Sequence, residues 1–175
     1  MHIRKASLAD AAAIARVHVA SWRTTYPSLV PDSVLVSHLS ESRRGAQWEH
    51  ILGNPHSPEC VFVAEDDRGQ VVGFASGGPT RSADPAYAGE LYAIYLLQST
   101  QGQGVGTLLT QTVMRDLAGR GMRSIIVWAL KGNPACQFYE KMGGHFVRET
   151  TFTMGDAELW EVAYGWADIG PSVES

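Results

Sequence analysis

Cysteine is nearly missing from this chain: Cys60 and Cys136 are the only two in 175 residues. One lies in a strand-like and one in a helix-like context, so they make neither a disulfide framework nor a metal-ligating cluster, and they read as buried free thiols of a reducing compartment. No apolar run approaches the ~20 residues that a membrane-spanning helix needs. The start, Met1-His2-Ile3-Arg4-Lys5-Ala6, has no apolar core of the kind a secretory leader carries. The expectation is a cytoplasmic protein without membrane contact. Basic residues are in modest deficit, 14 Lys and Arg against 18 Asp and Glu, for a formal net charge of −4. That balance argues against a general nucleic-acid or anionic-membrane surface and suits a cationic small molecule better. Linkers, internal repeats and low-complexity tracts are absent as well. With 45% apolar residues, the chain is expected to form one domain over 1–168, followed by a flexible tail over 169–175.

What is present reads as alternating helices and strands. A strand from His2 to Ala6 precedes an alanine-rich helix whose start, Ser7 followed by Asp10, resembles a capping box; Pro27 stops it. Pro31-Asp32 opens a short second helix, and Ser40 or Ser42 caps a third that carries Trp48, Ile51 and Leu52. Cys60 to Glu65 and Val71 to Gly77 are β-rich runs joined by the turn Asp66-Asp67-Arg68-Gly69, and Gly89 to Leu97 continues the sheet. A helix, a strand around Ile125 to Ala129, a helix from Pro134 to Met142 and strands at His145 to Thr153 and Ala157 to Trp166 complete the order. The class is mixed α+β around one central sheet.

The segment Gln101-Gly102-Gln103-Gly104-Val105-Gly106 lies between the apolar run Leu91 to Leu97 and a helical pattern of Val105, Leu108, Leu109, Thr112, Val113 and Leu117. A strand feeding a glycine-rich turn that opens a helix aims several backbone N–H groups and the positive end of the helix dipole at one spot. That is a phosphate cradle. A Walker-type loop would end in Lys and a hydroxyl residue, but Gly106 is followed by Thr107 and Leu108. A dinucleotide fingerprint would read G-x-G-x-x-G and lead to an acidic ribose reader; this loop reads G-x-G-x-G and leads to Ile125-Ile126-Val127-Trp128. Taken alone, the turn is equally compatible with a tight strand-to-helix connection that holds no ligand.

Downstream stands Asn133-Pro134-Ala135-Cys136-Gln137-Phe138-Tyr139-Glu140-Lys141-Met142-Gly143-Gly144. With this second segment the chain resembles the GNAT superfamily of N-acetyltransferases, whose pattern is Q/R-x-x-G-x-G/A followed by N-x-x-A-x-x-F-Y-x-x-x-G. Gln101, Gly104 and Gly106 match the first part; Asn133, Ala135, Phe138, Tyr139 and Gly143 match the second, with Asn133 two residues before Ala135 instead of three. The resemblance implies a twisted, mostly antiparallel sheet of about seven strands flanked by helices, the fourth and fifth strands splaying apart around a thioester cosubstrate. It further implies acetyl transfer from acetyl-CoA to a primary amine by direct attack, without a metal. The acceptor would be a small-molecule amine, a peptide N-terminus or a lysine.

Each residue carries its expectation. Gln101, Gly102, Gln103, Gly104, Val105, Gly106 and Thr107 form the pyrophosphate cradle, and the resemblance adds Asn133 to the cofactor set. The strand edge at Ile94, Tyr95 and Leu96 would pair with the amide-rich pantetheine arm as another strand would. Tyr139, a phenol protonated at neutral pH, would donate to the leaving thiolate; otherwise it packs beside Phe138. Glu90 would act as general base through water, as a glutamate at this separation does in the histone acetyltransferase branch, or would stand as a solvated strand-end carboxylate. Simple alternation puts it on one face with Tyr92, Ile94 and Leu96 unless a bulge intervenes. His18, Trp22 and Tyr26, four apart on one helical stripe, either line the amine pocket with Tyr92 or pack on the sheet, and His18 is a second candidate base. Another acyl-CoA donor, a hydroxyl acceptor and a CoA-binding regulatory module without catalysis are the rival functions. The strands near the C-terminus leave room for a homodimer.

Overall fold

A computed structural model describes residues 1–81 and 84–170. Seven strands form one sheet in the order β1-β2-β3-β4-β5-β7-β6. They are β1 (His2–Lys5), β2 (Cys60–Glu65), β3 (Val71–Pro79), β4 (Gly89–Leu96), β5 (Ile125–Leu130), β6 (His145–Met154) and β7 (Ala157–Trp166). Five helices cover it: α1 (Ala11–Thr25), α2 (Asp32–His38), α3 (Glu41–Gly53), α4 (Val105–Gly119) and α5 (Ala135–Lys141). None of these is long and apolar enough to cross a membrane.

The sheet divides the core in two. Leu109, Val113, Met114 and Leu117 of α4 bury one stripe against Ala75, Leu91, Ile125 and Val127, while Ile14 and Val17 of α1 and Trp48 of α3 pack on Val61, Val63 and Phe74 from the other side. The alternation along β2 and β3 therefore serves two cores at once, which is why both strands read as nearly continuous apolar runs. Gly73 and Gly77 sit where a Cβ would press into Leu96 and Val113 respectively, so glycine here reflects close packing of α4 and β4 on β3.

Neighbouring strands run antiparallel except β4 and β5. That parallel ladder covers only Gly89↔Ile125, Glu90↔Ile126 and Leu91↔Val127. It stops at an irregularity on the other side of β4: Gly77 pairs with Leu91 but Ser76 with Ala93, leaving Tyr92 as an extra residue. A bulge bends its strand and strengthens the twist, so from Tyr92 onward β4 turns away from β5 and the two strands splay.

The tail begins later than position 169. Ile169 is fully buried and its N–H donates to Arg123 O at 2.8 Å, and the N–H of Gly170 donates to Asp168 Oδ1 at 2.9 Å. The remainder of the expected tail, 171–175, lies outside the described residues.

One polar knot fastens the start of the chain. Arg4 donates to both oxygens of Asp10 at 2.8 Å and to Glu65 Oε1, while the Ser7 N–H and hydroxyl also reach Asp10. The guanidinium, through these hydrogen bonds, holds the Asp10 carboxyl down to about 2. A carboxyl depressed by folding contributes stability above its unfolded value near 4 and loses it as the pH falls through the folded value. Urea unfolding at neutral pH and near pH 2 is therefore expected to show the parent losing about 2 kcal/mol more than Asp10→Asn across that interval.

Candidate active site

The glycine turn forms a short spiral ahead of α4. Gly102 and Gly104 have φ of +74° and +80°, the left-handed region, and a Cβ on either would point into open space. Their side of the turn is bare main chain. Gly104 caps α4 and its carbonyl accepts from Leu108, leaving the first-turn N–H groups of Val105, Gly106 and Thr107 without helical acceptors. Gly106 has a different reason for being glycine: a Cβ would stand 3.3 Å from Leu96 and 3.6 Å from Phe138, so the start of α4 sits close on β4 and α5. The glutamines are exposed but fold back on the chain, Gln103 Nε2 donating to Ser99 O at 2.8 Å and Gln101 Nε2 to Leu96 O at 3.5 Å. They shape the turn and leave its anion-facing surface to the backbone.

Next to the turn runs the free edge of β4. The Leu97 N–H donates across to Val72 O, so by alternation the main-chain groups of Ile94 and Leu96 point away from β3 into the splay. The Leu96 carbonyl is met there by the Ser21 hydroxyl at 2.8 Å. The gap between β4 and β5 is lined by Tyr26, Tyr92, Ile94, Tyr95, Trp128 and Tyr139, among others. Its donor inventory is a strand edge, a set of phenols, the Trp128 indole and the Asn133 amide.

Tyr139 projects from α5 and is 5% exposed. Phe138, Tyr164 and Trp166 surround the ring, and no group among the described residues hydrogen-bonds its hydroxyl. Burial raises its pKa well above that of a free phenol, with the neighbouring Tyr95 and Cys136 adding to the effect. The group therefore holds its proton across the neutral range. Asn133, which the resemblance adds to the cofactor set, lines the gap and is also engaged within the protein. Its Oδ1 accepts from the Ala135 N–H at 2.9 Å, capping α5, and its Nδ2 donates to Tyr26 Oη at 3.4 Å, so both ends of the amide are engaged within the protein.

Glu90 is 4% exposed and heavily engaged. Oε2 accepts from the Arg81 backbone N–H at 2.8 Å, and Oε1 from its Nη2 and Nε at 2.7 and 3.2 Å. It is thus neither a solvated strand end nor in phase with Ile94 and Leu96. The bulge resets the alternation: Glu90 shares a face with Tyr92, Ala93 and Tyr95, on the α1 side, while Leu91, Ile94 and Leu96 face α4. Tyr92 lies in the same corner, with Arg81 3.8 Å from its ring centroid and its hydroxyl donating to Pro79 O.

The α1 stripe is interior. His18 is 7% exposed, stacked on Tyr95 at 4.6 Å and close to Trp48 and Phe74, with Nδ1 unpartnered. Burial pulls its pKa down to about 3, helped by the charges of Arg44 and His38. A neutral, weakly basic imidazole in the core cannot serve as the base, so that expectation fails on desolvation, and the ring packs beneath the site instead of lining a pocket. Trp22 also packs, stacking on Tyr26 at 4.3 Å while its Nε1 donates to Tyr95 Oη at 3.2 Å. Tyr26 alone of the stripe reaches the gap. Burial pushes its pKa far up, with Tyr95 contributing.

Sequence reasoning missed two residues of this corner. Arg81, in the loop after β3, is the cation that holds Glu90, and nothing local in the sequence signals it. Glu161 of β7 is half-buried, has no ion pair or hydrogen bond among the described residues, and has a pKa raised first by burial and then by the charge of Glu90. Its signal was available: in β7 the flanking Trp160 and Val162 leave a carboxylate on the face that Ala163 shares, where alternation predicts burial.

The model of the acetyltransferase (GNAT) family matches residues 18–144. An uncharacterized N-acetyltransferase of Bacillus subtilis, YuaI, is 41% identical over 167 residues, covering 95% of this chain and 93% of its own. Among solved structures, an N-acetyltransferase from Staphylococcus aureus Mu50 superposes with a TM-score of 0.71 at 24% identity, covering 96% of this chain and 98% of its own. The PaiA N-acetyltransferase of Thermoplasma acidophilum, solved in complex with coenzyme A, has a TM-score of 0.72 at 20% identity, covering 91% of this chain and 96% of its own. The extent of the family match and the identity with YuaI together establish that the chain belongs to the acetyltransferase (GNAT) family.

Proposed function

We propose that the protein transfers an acetyl group from acetyl-CoA to a primary amine, by direct attack within a ternary complex. The observation that carries this reading is the coincidence of three features along one gap. These are bare first-turn N–H groups at α4, an unpaired strand edge at Ile94 and Leu96, and the buried, protonated hydroxyl of Tyr139. The turn suits a pyrophosphate, the edge suits the amides of a pantetheine arm, and Tyr139 donates a proton as the thiolate leaves. In the step itself the amine nitrogen bonds to the thioester carbonyl carbon, the carbon–sulfur bond breaks, and the sulfur leaves protonated.

An attacking amine must first shed a proton. Glu90 accepts it through a water in this proposal: the bonds from Arg81 leave lone-pair capacity on its carboxylate, and it lies on the amine side of the sheet. Thiol release from acetyl-CoA, measured against a panel of amines, tests the activity; saturable acetyl-CoA binding with no release on any amine would instead make the chain a CoA-binding module. In active turnover, Glu90→Gln is expected to lower kcat/KM by about 10²-fold and abolish the acid limb of the pH–rate profile. An unchanged limb would overturn the base role of Glu90.

A further inference from the structure

Away from the β4–β5 gap, the corner between α2 and α3 forms an open groove of about 300 Å³ lined by Ser37, His38, Ser40, Arg43, Arg44 and Gln47, none of them fully buried. Its lining contains no acidic residue. Neither arginine has a carboxylate partner among the described residues: Arg44 Nη1 donates to Gln47 Oε1 at 2.9 Å and Arg43 Nη1 to Ser37 O at 3.5 Å. Arg44 is half-buried, its guanidinium 5.8 Å from the centroid of the Trp22 ring. Burial lowers its pKa; Tyr95 opposes that, and the charge of Arg43 adds to it. Arg43 is exposed and Arg44 half-buried; two like charges this close repel each other, and an anion between them relieves that repulsion. The nearest acidic residue in sequence, Glu41 in the first turn of α3, is outside the lining and pairs with neither arginine among the described residues.

The rest of the lining fits the same ligand. Ser40 caps α3, accepting from the Arg43 N–H at 3.3 Å, so the positive end of a 13-residue helix faces this corner. The Ser37 hydroxyl is spent on the Val34 carbonyl at 2.7 Å, but the two guanidiniums offer planar pairs of donors that match an oxyanion. We propose that this groove binds the oxyanion, carboxylate or phosphate, of a small ligand.

The aromatic stack connects it to the gap. His38 stacks on Trp22 at 4.7 Å and Trp22 on Tyr26 at 4.3 Å, and Tyr26 lines the gap with Tyr139. Two ring spacings thus separate the cationic groove from the wall of the gap. An amine with an anionic tail could place the tail here and its nitrogen at the gap; a free anion would occupy the groove independently. The first source rests on the acetyltransferase reading, whereas anion binding itself does not.

Inorganic phosphate titrated into the ¹⁵N-labelled protein is the test. Saturable shifts are expected at the amides of residues 37–47, distinct from any at the glycine turn, and affinity should fall by about tenfold or more in R43Q/R44Q. Arg44→Lys, which keeps the charge and the stem over Trp22, should bind with intermediate affinity, and thermal unfolding of each variant reports whether the fold is kept. Absence of shifts in this segment, or equal affinity in a folded double variant, overturns the proposal. Matched amines with and without a carboxylate then identify the source. A KM raised by R43Q/R44Q only for the carboxylated amine, with phosphate competing, assigns the acceptor's own tail; phosphate binding without either effect assigns a free anion. Phosphate binding in a protein that acetylates nothing would count against the proposed activity and leave the groove assignment intact.

Discussion

Tyr139→Phe is expected to reduce kcat by about 10- to 10⁴-fold while the dissociation constant of acetyl-CoA stays within about twofold of the parent value. The separation of effects follows from where the hydroxyl sits. The ring is held by Phe138, Tyr164 and Trp166, contacts that phenylalanine keeps, and no protein group depends on the hydroxyl for a hydrogen bond. Removing one oxygen therefore leaves the packing of α5 intact. The thiolate alone loses a donor, and it is charged only as the carbon–sulfur bond breaks, so the cost falls on the transition state. Stopped-flow or single-turnover thiol release, with equilibrium binding of acetyl-CoA beside it, checks both halves. Unchanged turnover would reduce Tyr139 to a packing residue.

The second large effect is expected at Gly104. Its φ of +80° is one that an L side chain adopts at a cost of about 1–2 kcal/mol. Gly104→Ala relieves that strain by letting the turn relax, which swings the N–H groups of Val105, Gly106 and Thr107 off their common target. Ligand binding must then restore the strained turn, so KM for acetyl-CoA should rise by about 5- to 30-fold with kcat nearly unchanged. Gly106→Ala is the contrasting control. There the φ is ordinary and the new methyl meets Leu96 at 3.3 Å, so its main effect is on thermal stability through the contact between α4 and β4. A variant pair in which both substitutions act alike on KM would argue against a backbone cradle.

Elements whose residues serve one local purpose were legible in the sequence. The glycine turn declared itself through spacing, the five helices through caps and period, and the hairpin of β2 and β3 through Asp66-Asp67-Arg68-Gly69. Residues whose role depends on a distant partner were not. Glu90 looked like a strand-end carboxylate because its cation, Arg81, lies in a loop nine positions away with no pattern to announce it. His18 looked polar and available because a helical stripe does not reveal what covers it, and Tyr95, Trp48 and Phe74 come from three other elements. Asn133 matched a motif, but the motif does not reveal that, at the shortened spacing to Ala135, its side chain caps α5 directly. The phase of β4 failed for a single residue: one bulge at Tyr92 inverted the facing of all that followed.

That bulge also changes how the sheet meets the rest of the cell. An open sheet has two rims where unpaired main-chain groups can recruit a strand from another molecule, but the splay after Leu91 opens a further stretch of unpaired rim in the middle. Natural proteins usually blunt such rims with charge or proline; this one is recessed and fenced by Tyr26, Tyr92, Trp128 and Tyr139. Bulky rings on either side obstruct an invading β-strand, whose own side chains would need room on both faces, but admit a slender arm that carries amides and no side chains. The splay thereby holds unpaired main-chain groups within the sheet without offering them to other polypeptides.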